Sequence, residues 1–202
     1  MATSALPPWD VQRPPPVPVR RFTVDEYRRL AESGILTDQD GVELLEGWIV
    51  PKMVHNPPHD TAVELADEAL RAVVGSGWRV RIQSAIHTPD SEPEPDLAVV
   101  RGSARARSGR HPTADELALV VEIADTSLER DRGSKARIYA RAGIAAYWIV
   151  NLVDQHVEAY EAPSGPAVEP GYGRRTVHQP GQPLALRIDD AVVSIDPADL
   201  LP

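Results

Sequence analysis

The stretch Leu117-Ala118-Leu119-Val120-Val121-Glu122-Ile123 decides the fold. Its residues are apolar at successive rather than alternate positions, so a strand formed here must be covered on both faces, as in the middle of a sheet flanked by helices. Glu122 breaks the pattern. A carboxylate inside such a strand costs several kcal/mol to desolvate unless it meets a cation, takes up a proton or lies at the open end of the strand. The plain alternative is a strand-end glutamate turned to water.

Working outward, Leu97-Ala98-Val99-Val100 is a second short run of the same kind, opened by Asp96 after Pro93-Glu94-Pro95. An aspartate after proline is ordinarily a turn residue. Set beside Glu122 on a neighbouring strand, however, it would complete a two-carboxylate site suited to Mg²⁺, which takes one or two protein carboxylates and fills its shell with water and phosphate oxygens. Downstream, residues 131–142 read as a helix closed by Gly143, with Lys135, Ile138, Tyr139 and Ala142 on one face. Lys135 therefore lies on the stripe that packs toward the sheet, while Arg137 and Arg141 point elsewhere. A lysine there either snorkels to solvent or balances the two carboxylates, and phosphodiester hydrolysis needs such a cation beside the attacking water.

The other elements follow from local signals. Thr23 and Glu26 form a capping box, with Phe22 placed to staple onto Tyr27, for a helix ending near Gly34. Residues 42–50 read as two short strands about a Glu46-Gly47 turn, residues 61–74 as an amphipathic helix, and residues 78–88 as an alternating strand. Tyr147 to Val150 is a buried strand with a hairpin partner over 156–161, and weak strand signals lie near Thr176 and over 184–188. Residues 1–21 contain six prolines and read as a flexible tail, leaving 22–202 as one α/β domain.

Composition narrows the chemistry. With no cysteine, disulfides, thiol nucleophiles and cysteine-held metals are excluded. With 42% hydrophobic residues but no apolar run near the roughly 20 residues of a membrane span, a soluble, cytoplasmic chain is expected. The net charge of -9 opposes a broad grip on nucleic acid, so any such contact must be local. Arg101, Arg105, Arg107 and Arg110 form one candidate patch, although a solvated loop is the commoner explanation. His55 and His59 are four apart, but the prolines between them argue against a common helical face and hence against a zinc pair. No phosphate loop, nucleophile elbow or dinucleotide fingerprint is found.

The motifs Val120-Val121-Glu122-Ile123-Ala124-Asp125-Thr126-Ser127, Asp131-Arg132 with Lys135, and Tyr147-Trp148-Ile149-Val150-Asn151 resemble the core signature of the Uma-two family of restriction endonucleases. Val42-Glu43-Leu44-Leu45-Glu46-Gly47, His59 and Pro95-Asp96-Leu97 are similar to its upstream motifs in the same order. The resemblance implies the PD-(D/E)XK restriction-endonuclease fold, a mixed central sheet flanked by helices. It also implies a magnesium-dependent endonuclease site, with Mn²⁺ able to substitute, in which Glu43, Asp96, Glu122 and Lys135 are catalytic and Asp96, Glu122 and Ile123 hold the metal. Glu46 is the alternative to Glu43. Ala124 stands where many such nucleases carry lysine, which implies that the cation has moved to Lys135.

Two functional readings follow. One is a hydrolase acting on DNA. The other is a non-catalytic, homodimeric binding protein that keeps the nuclease fold, using Tyr147 to Val150 and the adjacent hairpin as its interface. A carboxylate-pair glycosidase fits the acids but not the nearby lysine or the sparse aromatics.

Overall fold

A computed structural model describes residues 18–202. The proline-rich segment lies largely outside the described residues, and 18–21 carry no regular element. Six strands form the central sheet in the order β3 (Trp78–Ile82), β4 (Leu97–Arg101), β5 (Leu117–Ala124), β6 (Ala146–Asn151), β7 (His156–Pro163) and β8 (Tyr172–His178). All neighbours are antiparallel except β5 and β6, which run parallel. A parallel pair needs a crossover. Here it consists of the single turn α3 (Leu128–Arg130), a π-helical turn over Asp131–Lys135 and α4 (Ala136–Ala142).

Every residue of β5 is buried, because both sheet faces are covered. On one face Leu119, Val121 and Ile123 pack with Ala62, Ala66 and Leu70 of α2 (Pro57–Val73) and with the hairpin of β9 (Leu184–Ile188) and β10 (Ala191–Ile195). On the other face Val120 and Ala124 pack with Ile138 and Tyr139 of α4 and with Leu45 of β1 (Val42–Leu45). Alternation along the strand puts Glu122 on this second face.

Thr23 caps α1 (Val24–Glu32) with both bonds of the capping box. The β1–β2 hairpin (β2, Trp48–Pro51) turns at Glu46 and Gly47, both left-handed, with φ 50° and 79°. Gly47 is required twice over: a Cβ there would lie 2.5 Å from that of Arg21.

Four expectations are corrected. The strand from Trp78 ends at Ile82 rather than Thr88, because Gln83, although it still gives its N–H to the carbonyl of its register partner Asp96, turns left-handed (φ 42°) and takes the chain out of the sheet. The helix over 131–142 is not continuous α, its first turn being widened. α2 begins at Pro57, since the two prolines occupy its first turn, where no intrahelical N–H partner is missed. Finally, β10 forms over residues without an expected strand, because it pairs with β9 along its length and buries Ile195 in the core.

Tyr147, Trp148, Ile149 and Val150 are at most 1% exposed, between β5 and β7. They belong to the core and present no dimer surface, which removes this segment, though not the acidic balance, from the support for the binding-protein reading.

Glu158 of β7 is fully buried and is held by Arg132, Arg175 and the Tyr160 hydroxyl. Burial works against its ionisation, but these partners bring its pKa down to about 2. A depressed carboxyl pKa stabilises the fold above the unfolded value of 4.5 and loses that effect as pH falls toward 2. Glu158→Ala is expected to cost about 2–3 kcal/mol at pH 7 by removing hydrogen bonds to a charged group whose arginine partners can turn to water, and less at pH 3. Urea denaturation at the two pH values tests this; an equal loss at both would remove the ionic explanation.

Candidate metal centre

The register that pairs Leu97 with Val121 places Asp96, one residue earlier, opposite Glu122. The Ile123 N–H donates to Asp96 Oδ2 at 2.8 Å, fixing the carboxylate against β5. Like charges directly across an antiparallel pair repel. Two buried acids in that relation call for a positive partner.

Lys135 supplies part of it. Its Nζ is 2.9 Å from Glu122 Oε1 and 3.9 Å from Glu43 Oε1, and the residue is only 7% exposed. Glu43, on β1, is also buried; it accepts the Glu94 N–H at 3.1 Å and lies 3.7 Å from Arg130. The structure thus brings Glu43, Asp96, Glu122 and Lys135 to one cleft of about 270 Å³. Glu46 is directed away, onto Arg137 and Arg141. Arg101, Arg107 and Arg110 are likewise engaged, with Asp189 or Glu116, as a surface loop would be.

Three contributors lay outside the candidate set. Asp131 is 1% exposed, with Ser127 donating to its carboxylate and its charge acting on Lys135. Tyr139 donates its hydroxyl to Glu122 Oε1, and no hydrogen bond to Oε2 is seen among the described residues. His59, from the first turn of α2, places Nε2 3.3 Å from Asp96 Oδ1. The sequence carried a signal for Asp131 and Tyr139, which stand four residues either side of Lys135. For His59, which arrives from a different element, the signal was its place among the motifs of the family resemblance, and no local spacing tied it to Asp96.

The electrostatics show a cluster short of positive charge. Burial raises the Glu122 pKa well above its ordinary value; Lys135 opposes the rise without cancelling it, and the charges of Asp131 and Asp96 add to it. Burial would lower the Lys135 pKa, but Glu122, Glu43 and Asp131 hold it above that of an ordinary lysine, so the amine stays charged. For Asp96 burial is outweighed by His59, the Ile123 N–H and Lys135, and its pKa falls. Asp131 is raised, mainly by burial, to about 6. The donor set is all oxygen, hard and in excess of its counter-charges, which fits Mg²⁺ or Mn²⁺.

The displacement of Asp131 from 3.8 to about 6 corresponds to about 3 kcal/mol of disfavoured ionisation. A raised carboxyl pKa leaves stability unaffected below the unfolded value and takes its full toll above about 6. Asp131→Asn is therefore expected to stabilise the protein by up to about 3 kcal/mol at pH 8 and to have little effect near pH 4. Urea midpoints at both pH values check this; destabilisation at pH 8 would mean that its bond from Ser127 and its charge attraction to Lys135 outweigh its burial.

The sequence matches the Uma2 family, described as "Putative restriction endonuclease", over residues 24–189. The chain belongs to the Uma2 family. No functionally curated protein matches the chain. The crystal structure of "a putative nuclease belonging to DUF820" from Anabaena variabilis has the same fold, with a TM-score of 0.67 at 18% identity over 89% of this chain and 97% of that one. This Uma2 chain thus has the restriction-endonuclease-like architecture implied by its motifs. Among its described residues no helix is long and apolar enough to cross a membrane.

Proposed function

We propose that this protein is a Mg²⁺-dependent endonuclease hydrolysing phosphodiester bonds in DNA, with Mn²⁺ able to replace Mg²⁺. The observation that carries this reading is the opposed pair Asp96 and Glu122, buried with too little positive charge around it. Asp96, Glu122 and the main-chain oxygen of Ile123 would hold the ion. A bound divalent cation polarises a phosphate oxygen and lowers the pKa of a coordinated water.

The protein's own groups prepare that site. Ile123 N–H and His59 Nε2 contact the two oxygens of Asp96 and fix its orientation. Tyr139 and Lys135 both engage Glu122 Oε1, which leaves Oε2 to face the cleft. Lys135 has three donors and spends one on Glu122, so the others can orient the attacking water and meet charge that develops on the phosphate. Glu43, 3.9 Å from Nζ, helps to keep the amine protonated. The net charge of -9 confines the grip on DNA to this neighbourhood.

The test is cleavage of supercoiled plasmid and of single-stranded DNA by purified protein in Mg²⁺, in Mn²⁺ and with chelator. Nicking or linearisation that depends on the metal is expected. DNA left intact in both metals would overturn the reading.

A further inference from the structure

The prolines between His55 and His59 separate the two residues in sequence terms, yet the fold stacks them. Because Pro57 and Pro58 start α2, His59 sits in its first turn and His55 in the chain arriving above it. Their ring centroids are 4.3 Å apart with planes 16° from parallel. Asp60 follows, its Oδ1 3.8 Å from His55 Nδ1 and 3.7 Å from His59 Nδ1. The three donor atoms lie within 4.8 Å of one another.

Exposed acids often sit near histidines without an ion. The state of His59 distinguishes this group. The residue is 7% exposed and its Nδ1 has no hydrogen-bond partner, the one such side-chain atom found among the buried, described residues. Buried polar atoms are nearly always satisfied, so an orphaned imidazole nitrogen facing another imidazole and a carboxylate marks a place for water or an ion. Its other nitrogen, Nε2, faces Asp96 Oδ1 at 3.3 Å. A ligating histidine ordinarily gives its far N–H to a carboxylate, which fixes the tautomer and makes the near nitrogen a better donor. Asp96 stands in that relation to His59.

We propose that His55, His59 and Asp60 form a second metal site, with its own ligands at the rim of the cleft that His55 and His59 share with the carboxylates, for a borderline first-row cation of the Zn²⁺ or Co²⁺ type. Two imidazoles and one carboxylate select such ions over Mg²⁺ and leave a fourth position open. Asp60 within the shell and Asp96 behind it match the double charge. Because an imidazole donates in its own plane, binding turns the exposed His55 ring out of its stack on His59 and releases the Gln83 side-chain amide, now 3.1 Å from His55 Nδ1. Asp96 thereby touches both sites, orienting a ligand of one and lining the other. The assignment does not depend on nuclease activity.

The test uses full-length protein stripped with chelator and titrated with Co²⁺, followed by visible absorption and by isothermal calorimetry, then displaced with Zn²⁺. One tightly bound Co²⁺ per chain is expected, released by Zn²⁺ and retained in a large excess of Mg²⁺. His55→Ala and Asp60→Asn, both at partly exposed positions, are expected to weaken binding by at least about 10-fold, with unchanged circular dichroism and metal-free melting. Asp96→Asn is expected to weaken it about 10-fold or more while leaving all three ligands. No Co²⁺ binding, which would leave only a water at Nδ1, overturns the proposal. So does binding unaffected by His55→Ala, or Co²⁺ readily displaced by Mg²⁺.

Discussion

Asp96→Asn is expected to lower metal-dependent DNA cleavage more than about 100-fold while leaving the fold intact, since even partners behind metal ligands are worth about 10–100-fold. Asparagine keeps a carbonyl oxygen to accept the Ile123 N–H, which the wild-type carboxylate accepts at 2.8 Å. What it loses is the negative charge. The acid opposite Glu122 becomes neutral, the repulsion across β4 and β5 falls, and the pair ceases to be a site for a hard dication. Asp96→Ala would confuse matters, because it also orphans a buried N–H at a cost of about 1–3 kcal/mol. Plasmid cleavage rates in Mg²⁺, paired with urea denaturation of both variants, separate the two effects. Asparagine retaining wild-type cleavage would deny Asp96 its role as a ligand.

Lys135→Met is expected to lose about 10²–10³-fold in cleavage rate and about 3–5 kcal/mol in stability. The amine is the buried counter-charge shared by Glu122, Glu43 and Asp131, and methionine fills its space without its charge. Since the folded pKa of Lys135 is raised, its stabilisation is present at every pH below the ordinary lysine value. The pH dependence of the variant comes from the acids left behind. Glu122, already raised, rises further, so it is protonated without penalty in acid and costs most when forced to ionise in alkali. The deficit should therefore be largest near pH 8 and shrink toward pH 5. Denaturation at the two pH values, with single-turnover cleavage at pH 8, measures both parts. A small deficit independent of pH would show that the amine packs rather than neutralises.

Element types were legible because they rest on local periodicity. The capping box at Thr23, the turn at Gly47 and the apolar run of β5 need no knowledge of the rest of the chain. Errors arose where a distant partner overrode a local pattern. The apolar spacing after Trp78 reaches on to Ile86, yet the left-handed turn at Gln83 ends the strand directly after its bond to the Asp96 carbonyl. Tyr147 to Val150 looks equally apolar at an interface or in a core, and only the neighbours β5 and β7 decide between them.

By itself the sequence determined that Glu122 lies in a strand covered on both faces, since its neighbours are apolar at successive positions, and it placed Lys135 on the helical stripe toward the sheet with its charge unassigned. Only the tertiary structure decided that Asp96 stands opposite Glu122, that Glu43 rather than Glu46 joins them, and that His59 reaches Asp96 from another element. Strand register and the packing of separate elements depend on contacts between residues far apart in the chain, and no local spacing encodes them.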